Sequence, residues 1–275
     1  MPSIQGKVAL VTGASSGIGK ATVLSLLSRG ASVYAAARRV DKMKDLDEGG
    51  ATILPMDVTD FESINTGVQS ILDREGSVDI LVNNAGYGSY GAIEDVPISE
   101  ARRQFEVNIF GLGRLTQLVL PYMRKNSYGK IVNISSMGGK IYTPMGGWYH
   151  ATKHALEGLS DCLRIETKPF GIDVIIIEPG GIESEWGDIA AENVIQTSGN
   201  GAYQSMAEKS AKTLQDTYHS GKASPASLIA DVVTRAVTAR KPKTRYAAGY
   251  MAKPSLFLRK LLSDRMFDRI ITTMA

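Results

Sequence analysis

Short apolar runs, rich in β-branched residues, alternate with longer helical patterns along this 275-residue chain. The runs are apolar at nearly every position, which is typical of strands buried on both faces of a parallel sheet that helices cover. The sequence therefore predicts an α/β fold, a doubly wound parallel sheet of about seven strands with helices on both faces. The clearest predicted strands are Val8 to Thr12, Ser32 to Ala37, Thr52 to Met56, Ile80 to Asn83, Ile131 to Ser135 and Asp173 to Ile177.

The chain shows no internal boundary. No linker rich in Pro, Gly or Ser divides it, and it contains no internal repeat, so we expect one domain over residues 1–275. Pro121 predicts a bend or an early end in the third helical pattern. The helical patterns cover about residues 18–29, 60–75, 98–125, 147–168 and 226–240.

Charge and cysteine content limit the partners and the compartment. The net charge of +3 is not collected in a basic run, so we expect no nucleic-acid partner. The single cysteine, Cys162, excludes an intramolecular disulfide and a cysteine-rich metal site, and we expect it to be buried on a helix. A strand-like stretch begins at Lys7, which leaves no room for a signal peptide, and no apolar run approaches the ~18 residues of a membrane span. A cytoplasmic location is expected.

Two segments near the C-terminus have their own character. From about residue 183 to 222 the helical pattern weakens, and we interpret this long segment after a late strand as a substrate lid. Apolar residues then recur at four-residue steps among basic ones, which predicts an amphipathic helix at about 255–272. Packing on the core or on another subunit is favoured for its apolar stripe, with peripheral membrane contact as the alternative.

A glycine-rich turn follows the first predicted strand and opens the first helix. Gly13, Gly17 and Gly19 let the backbone approach a pyrophosphate at a helix N-terminus. Their spacing differs from the Gly-x-Gly-x-x-Gly of many dinucleotide sites. The second strand then ends in Arg38 and Arg39 with no acid, which favours the 2′-phosphate of NADP(H) over the ribose hydroxyls of NAD.

Tyr149 and Lys153 form a Tyr-x-x-x-Lys pair that begins 13 residues beyond Ser136. A spacing of four places the phenol and the ammonium on one helix face. A phenol protonates a carbonyl readily only when its pKa is lowered from about 10, and a nearby cation lowers it. The pair therefore indicates hydride-transfer chemistry.

Taken together, these motifs resemble the short-chain dehydrogenase/reductase family, in its shorter single-domain branch with a Rossmann fold. The resemblance covers about residues 5–250. It rests on Thr12 to Gly19, Asp57, Asn83 to Gly86, Asn108, Ser136, Tyr149, Lys153 and Pro179-Gly180, which occur in the family's order.

The resemblance implies a role for each catalytic candidate. Tyr149 would be the general acid in carbonyl reduction and, as phenolate, the base in alcohol oxidation. Lys153 would stabilise that phenolate and bind the nicotinamide ribose, and Ser136 would polarise the substrate carbonyl. Asn108 would hold a water that links Lys153 to solvent. Ser135 is the weaker serine, because the family's spacing selects Ser136, and His150 and His154 are expected to be ordinary helix residues.

The resemblance also implies a cofactor site. Asp57 would accept from the adenine amino group, with Val58 adding backbone bonds, although a helix-capping role for Asp57 stays open. Ser184 stands where the family more commonly has threonine. No metal is expected. The implied cofactor residues are Gly13, Ser15, Ser16, Gly17, Ile18, Gly19, Arg38, Arg39, Asp57, Val58, Asn84, Ala85, Gly86, Tyr149, Lys153, Pro179, Gly180, Ile182 and Ser184.

We therefore expect an NADP(H)-dependent oxidoreductase that acts on a carbonyl or secondary alcohol, with NAD as the less favoured cofactor. A lipophilic substrate, of steroid, retinoid or lipid type, is the working hypothesis. The alternatives are a 3-oxoacyl-carrier-protein reductase and a non-catalytic NADP(H)-binding sensor or scaffold. The family further suggests a homodimer or homotetramer built through the helices at about 98–125 and 147–168.

Overall fold

The computed structural model describes residues 3–219 and 221–274. Four residues of the predicted domain lie outside the described residues: 1, 2, 220 and 275. Residue 220 also belongs to the predicted lid. The strands are β1 (Val8–Thr12), β2 (Ser32–Ala37), β3 (Thr52–Pro55), β4 (Ile80–Asn83), β5 (Gly129–Ile134), β6 (Ile172–Pro179) and β7 (Arg245–Ala248). The helices are α1 (Gly17–Leu27), α2 (Lys44–Glu48), α3 (Phe61–Glu75), α4 (Ile98–Phe105), α5 (Gly111–Lys125), α6 (Gly147–Thr167), α7 (Trp186–Ser198), α8 (Gln204–His219), α9 (Ala226–Val237), α10 (Ala252–Leu261) and α11 (Asp264–Met274).

All these strands join one parallel sheet in the order β3-β2-β1-β4-β5-β6-β7. The predicted doubly wound fold is confirmed. The strand order reverses between β1 and β4, and such a reversal opens a crevice at the carboxyl ends of the strands. β7 was not among the six runs named from the sequence, because its four residues are only half-buried at the sheet edge and carry no apolar run.

The sheet has an apolar layer on each face, and successive strand residues contribute to opposite layers. In β1, Ala9 and Val11 pack in one layer with α1 and α9, whereas Val8 and Leu10 pack in the other with α3 and α5. All four side chains are at most 5% exposed. This burial on both faces explains the uninterrupted apolar runs of the sequence.

The predicted helix at 98–125 spans α4, a π-helical turn at Glu106–Phe110 and α5. The helix continues past Pro121 to Lys125, so the early end that proline allowed is not observed. A π-helical turn was not expected from the sequence. Such turns are frequent at functional sites, and this one carries Asn108.

The C-terminal quarter of the chain also differs in detail from expectation. The weak pattern at 183–222 contains two helices, α7 and α8. The tail forms two helices rather than one, because Leu262 is extended and the carbonyl of Ser263 starts α11 by accepting from Met266 and Phe267. Within the described residues no helix is both long and apolar enough to cross a membrane.

Cys162 is exposed, so its predicted burial is wrong. The buried face of α6 carries Lys153, Leu156, Glu157 and Ser160 at helical spacing. A residue two positions beyond Ser160 is about 200° around the helix and faces away from the core.

Candidate active site

A cleft of about 1190 Å³ lies at the carboxyl ends of the strands. Ligand pockets are commonly about 300–1,000 Å³, so this cleft has room for a large ligand and a second molecule. Its wall is formed by several parts of the chain: the glycine-rich loop, the ends of β2, β4, β5 and β6, helix α6, the predicted lid and the tail helices.

The glycine-rich loop after β1 forms one end of the cleft. Gly13 and Gly17 have φ values of +64° and +52°, which glycine adopts at little cost. A Cβ on Gly13 would lie 2.9 Å from the Cα of Ala85, and one on Gly19 would lie 2.3 Å from the carbonyl oxygen of Gly13. Ser16 precedes α1 without a side-chain cap, so the helix N-terminus retains free N–H groups for an anion. This geometry fits a pyrophosphate.

Thr12 holds this loop against the end of β4. Its Oγ1 accepts N–H bonds from Asn84 at 3.1 Å and Ala85 at 3.0 Å. The Asn84 amide donates back to the carbonyl of Thr12 at 3.0 Å. Asn84, Ala85 and Gly86 line the cleft, whereas Asn83 is buried and donates to Asn133 within the sheet at 2.9 Å. The Asn83 side chain is therefore structural.

Two arginines follow β2, and they point to different partners. Arg39 donates to Ser16 Oγ at 3.1 Å and to Ser15 Oγ at 3.3 Å, so its guanidinium lies on the glycine-rich loop. It also forms an ion pair with Glu185 at 2.8 Å. Arg38 is more exposed and lies 3.8 Å from a carboxylate oxygen of Asp57. Both arginines line the cleft, and they form a cationic corner beside the loop.

Asp57 lies in the cleft wall after β3, next to Val58. Partial burial opposes its ionisation, but hydrogen bonds from the backbone and hydroxyl of Thr59, with Arg38 nearby, outweigh burial and lower the pKa of the Asp57 carboxyl. The capping acid of α3 is Asp60, which accepts from the N–H groups of Glu62 and Ser63. The capping role left open for Asp57 from the sequence therefore belongs to Asp60.

Tyr149 lies in the first turn of α6 and is 8% exposed. Burial raises the pKa of its phenol to about 12, and a hydrogen bond with Ser136 acts in the opposite direction. Lys153 does not lower this pKa as the sequence suggested: its ammonium lies 5.9 Å from the ring centre and donates to the carbonyl of Ile134 at 2.9 Å. The phenol therefore carries its proton over the whole physiological range.

Lys153 is 8% exposed, and burial lowers the pKa of its ammonium to about 8. The carboxylate of Glu157, one turn further along α6, partly opposes that shift. Glu157 is held by Arg245 at 2.9 Å and by Lys140 at 3.1 Å. An ionic cluster centred on the buried Glu157 thus lies one turn along α6 from the lysine. Sequence reasoning missed it because Arg245 is distant in sequence.

Asn108 is buried in the π-helical turn and its amide is fully engaged. Its Oδ1 accepts from the N–H of Tyr87 at 3.1 Å, and its Nδ2 donates to the carbonyl of Tyr87 and to Thr152 Oγ1, both at 3.0 Å. A Cβ on Gly86 would lie 3.1 Å from Asn108 Oδ1 and 3.8 Å from Lys153 Nζ. Asn108 and Lys153 are therefore neighbours across Gly86.

The side chain of His150 is structural. Its Nδ1 lies 2.9 Å from the carbonyl of Gly138, and its Nε2 lies 3.0 Å from the backbone nitrogen of Thr143. The second bond requires Nε2 to accept, which places the proton on Nδ1. Burial lowers the pKa of the imidazole, in keeping with a neutral ring. It fixes the turn that carries Ser136.

The loop after β6 lines the cleft and leads into α7. Pro179, Gly180, Ile182 and Ser184 all line the cleft. A Cβ on Gly180 would lie 1.9 Å from the carbonyl oxygen of Tyr250, which only glycine permits. Ser184 donates its hydroxyl to the carbonyl of Ile182 at 3.2 Å, and a Cβ on Gly17 would come within 3.4 Å of the Ser184 Cβ. This loop therefore lies against the glycine-rich loop.

The lid segment places aromatic rings over Tyr149. The ring of Trp186, the first residue of α7, lies 5.3 Å from that of Tyr149. The ring of Tyr90 lies 5.8 Å from Tyr149 and packs edge-on against Trp186 at 5.6 Å. Tyr218 of α8 packs on Trp186 at 6.0 Å. The sequence did not indicate these contacts, because a tryptophan at a helix start and a tyrosine 32 residues later show no common period.

Other aromatic and apolar residues near the site have mixed positions: Tyr87, Tyr90, Met137 and Ile141 line the cleft. Tyr142 instead hydrogen-bonds to Asp268 of α11 at 2.8 Å. Met145 packs in the apolar cluster beneath the lid. Trp148 does not contribute to the cleft wall among the described residues.

The chain matches the family model for short chain dehydrogenases over residues 7–194. It is 37% identical over 266 residues to a probable short-chain type dehydrogenase/reductase of Helicobacter pylori, VdlC, with 96% of each chain covered. It is 34% identical to an NADPH-dependent 3-dehydrocapnine reductase of Ornithobacterium rhinotracheale, with 96% of this chain and 95% of that one covered. It is also 40% identical over 185 residues to a 3-ketodihydrosphingosine reductase of Bacteroides thetaiotaomicron, with 67% of each covered.

Solved structures give the same result. A short-chain dehydrogenase from Streptomyces avermitilis superposes with a TM-score of 0.80 at 35% identity, covering 98% of this chain and 96% of that one. The closed form of a serine dehydrogenase complexed with NADP+ superposes with a TM-score of 0.77 at 25% identity, covering 88% of this chain and 94% of that one. The fold, the motifs in their order and these matches together show that the chain belongs to the short-chain dehydrogenase/reductase family.

Proposed function

We propose that this protein is an NADP(H)-dependent oxidoreductase that interconverts a lipophilic ketone and the corresponding secondary alcohol. One observation carries the proposal: Ser136, Tyr149 and Lys153 line one cleft, with Tyr149 and Lys153 buried one helical turn apart, and that cleft also contains a glycine-rich cradle. A proton donor and a dinucleotide-sized cradle thus share one cleft.

The chemistry follows from these groups. The bound nicotinamide supplies or accepts the hydride at the carbonyl carbon. In reduction, Tyr149 gives its proton to the carbonyl oxygen as the C=O double bond becomes a C–O single bond, and Ser136 hydrogen-bonds to the same oxygen. Ser136, which acts to lower the pKa of the phenol, would stabilise the phenolate that remains, and Lys153 would bind the nicotinamide ribose. Asn108, adjacent to Lys153, lies on the route by which that proton is replaced from solvent.

The cradle and the cationic corner support NADP(H) as the cofactor. The loop of Gly13, Gly17 and Gly19, with the free N–H groups of α1, would hold the pyrophosphate. Arg38 and Arg39 would hold the 2′-phosphate through charge-assisted hydrogen bonds. A relative that is NADPH-dependent by name and a structural neighbour solved with NADP+ support the same cofactor.

Arg39→Ala should weaken NADPH binding by roughly 10- to 100-fold, because a hydrogen bond to a charged group contributes about 1.5–3 kcal/mol. NADH, which has no 2′-phosphate, should lose less than about threefold. Arg38→Ala should also weaken NADPH binding more than NADH binding. The effect should be smaller, because Arg38 lies farther from the glycine-rich loop. Dissociation constants of both cofactors, measured by nicotinamide fluorescence, check this. Equal losses for NADPH and NADH would contradict the assignment of the corner, and Arg29→Ala is the control.

The cleft wall supports the lipophilic substrate. Beyond Tyr149, the wall carries a group of apolar side chains, most of them from the predicted lid and the tail, beside polar ones such as Asn193, Thr213 and Thr217. Area buried from water against the apolar group would favour a lipophilic substrate, and the keto lipid in the name of the Bacteroides relative is of this substrate class. The apolar side chains are Ile141, Trp186, Ile189, Leu214, Leu258, Phe267, Ile270 and Ile271.

A panel of ketones that differ only in chain length tests the substrate class. With NADPH oxidation as the readout, kcat/KM should rise by roughly fourfold for each added methylene, because each buried CH₂ contributes about 0.8 kcal/mol. Phospho-pantetheine-linked 3-oxoacyl groups form the second arm. Faster turnover of those groups than of free ketones would favour the carrier-protein alternative. Tight NADPH binding without turnover of any ketone or alcohol would favour the sensor.

We also propose a homo-oligomer built through α5 and α6. Phe61, Phe110 and Leu159 are 48%, 50% and 42% exposed and surround one shallow groove with Ile109. Exposed apolar side chains grouped in this way are typical of subunit interfaces. The dimers or tetramers that the family suggests support a subunit interface at this surface.

A further inference from the structure

The two tail helices expose large apolar side chains. Phe257 and Leu261 of α10 are 62% and 63% exposed, and Met266 of α11 is 52% exposed. Phe257 and Leu261 are four residues apart and therefore lie on one helix face. These three residues and four basic ones form what we call the tail surface. The basic residues are Lys253, Lys260, Arg265 and Arg269.

The opposite side of the same helices is fixed to the protein. Phe267 is 2% exposed and packs edge-on against Tyr142 with ring centres 5.2 Å apart. Arg259 pairs with Asp264 at 2.7 Å and lies over the rings of both Tyr142 and Phe267. Leu258 and Ile270 line the cleft. The tail surface is therefore held in place at the mouth of the cleft.

The tail also carries all of the chain's excess charge. Residues 252–274 contain five basic and two acidic residues, a net charge of +3, which equals the net charge of the whole chain. Within the described ranges, four of the five basic side chains pair with no carboxylate. These are Lys253, Lys260, Arg265 and Arg269.

We propose that the tail surface docks on an anionic lipid bilayer. Exposed apolar side chains among unpaired cations are the combination that anchors a helix in the interfacial plane of such a membrane. Its cations attract anionic headgroups, each improving binding by roughly fivefold. A second copy is the less suitable occupant, because a symmetric contact would place one net +3 surface against another. The cleft mouth would then face the membrane, where lipophilic molecules are concentrated.

Vesicle sedimentation of the full chain tests the proposal without any catalytic turnover. The protein should bind vesicles of phosphatidylcholine mixed with phosphatidylglycerol, bind pure phosphatidylcholine much more weakly, and dissociate as salt is raised. Lys260→Gln combined with Arg265→Gln should weaken binding roughly 20-fold. The triple variant Phe257→Ser, Leu261→Ser and Met266→Ser should weaken it at least roughly tenfold.

Matched controls change equally exposed residues elsewhere. Ile165 and Leu24 are 70% and 46% exposed on α6 and α1, and their replacement by serine should leave vesicle binding unchanged. Arg29→Gln with Lys125→Gln is the charge control. Circular dichroism checks that every variant is folded.

Three results would overturn the proposal. One is an absence of wild-type binding to the mixed vesicles. Another is equal loss of binding in the tail variants and the controls. The third is a fall in particle size by light scattering when the triple tail variant is made, since that outcome would assign the surface to a second copy. The docking proposal and the proposed function can fail separately. A wild-type protein that turns over NADPH but does not bind vesicles would overturn docking and leave the proposed function unaffected.

Discussion

Tyr149→Phe is expected to lower kcat for ketone reduction by about a thousandfold while leaving NADPH affinity within about threefold of wild type. The variant removes only the hydroxyl that carries the proton. The ring keeps its contacts with Tyr90 and Trp186, so the packing around it is preserved. Single-turnover kinetics with NADPH and a reactive ketone, together with cofactor fluorescence, measure the two quantities separately.

The matched control is Tyr203→Phe. That tyrosine lies at the lid surface, where its hydroxyl donates to Glu94 at 2.8 Å. Its loss should leave kcat within about twofold, since a surface hydrogen bond contributes little. Retention of a tenth or more of the wild-type kcat by Tyr149→Phe would show that another group supplies the proton. Ser136 would then be the next candidate.

Lys153→Met is expected to abolish most turnover and also to change how stability depends on pH. Folding lowers the pKa of Lys153 from 10.5 to about 8, so the buried charge costs stability below pH 8. Above pH 8 the folded protein releases that proton before the unfolded chain does, and wild-type stability rises. The wild type should therefore gain up to about 3 kcal/mol relative to Lys153→Met between pH 7 and pH 10.

Urea unfolding of both proteins across this pH range measures the difference. Lys153→Met removes the titrating group, so its unfolding free energy lacks this contribution. A parallel pH dependence in the two proteins would assign the shift to another group. Lys153→Arg separates the two effects, because it keeps a positive charge that does not titrate in this range.

The α/β fold was predictable because burial on both faces leaves an unmistakable run of apolar residues in each central strand. β7 escaped prediction since an edge strand with half-buried side chains has no such run. The break in the tail at Leu262 was also missed. A four-residue apolar period continues across it, and only the Ser263 start signal marks the second helix.

The site was predictable to the extent that its chemistry depends on local spacing. The glycines of the glycine-rich loop lie close together in the sequence, and so do Tyr149 and Lys153. The contacts of Trp186, Glu185 and Arg245 join segments far apart in sequence, so no spacing indicates them. The pKa of Tyr149 was expected to fall and instead rises, because the enclosure by Tyr90 and Trp186 depends on where the lid folds back.

Cys162, the only cysteine and fully reachable on α6, has a practical value for studying this protein. It lies one turn beyond Leu159, which lines the shallow groove proposed for subunit contact. A thiol-reactive spin label would therefore attach at a single known site in the unmodified chain. In a homodimer built through that groove, dipolar spectroscopy would detect one short distance between two labels, and a monomer would give none.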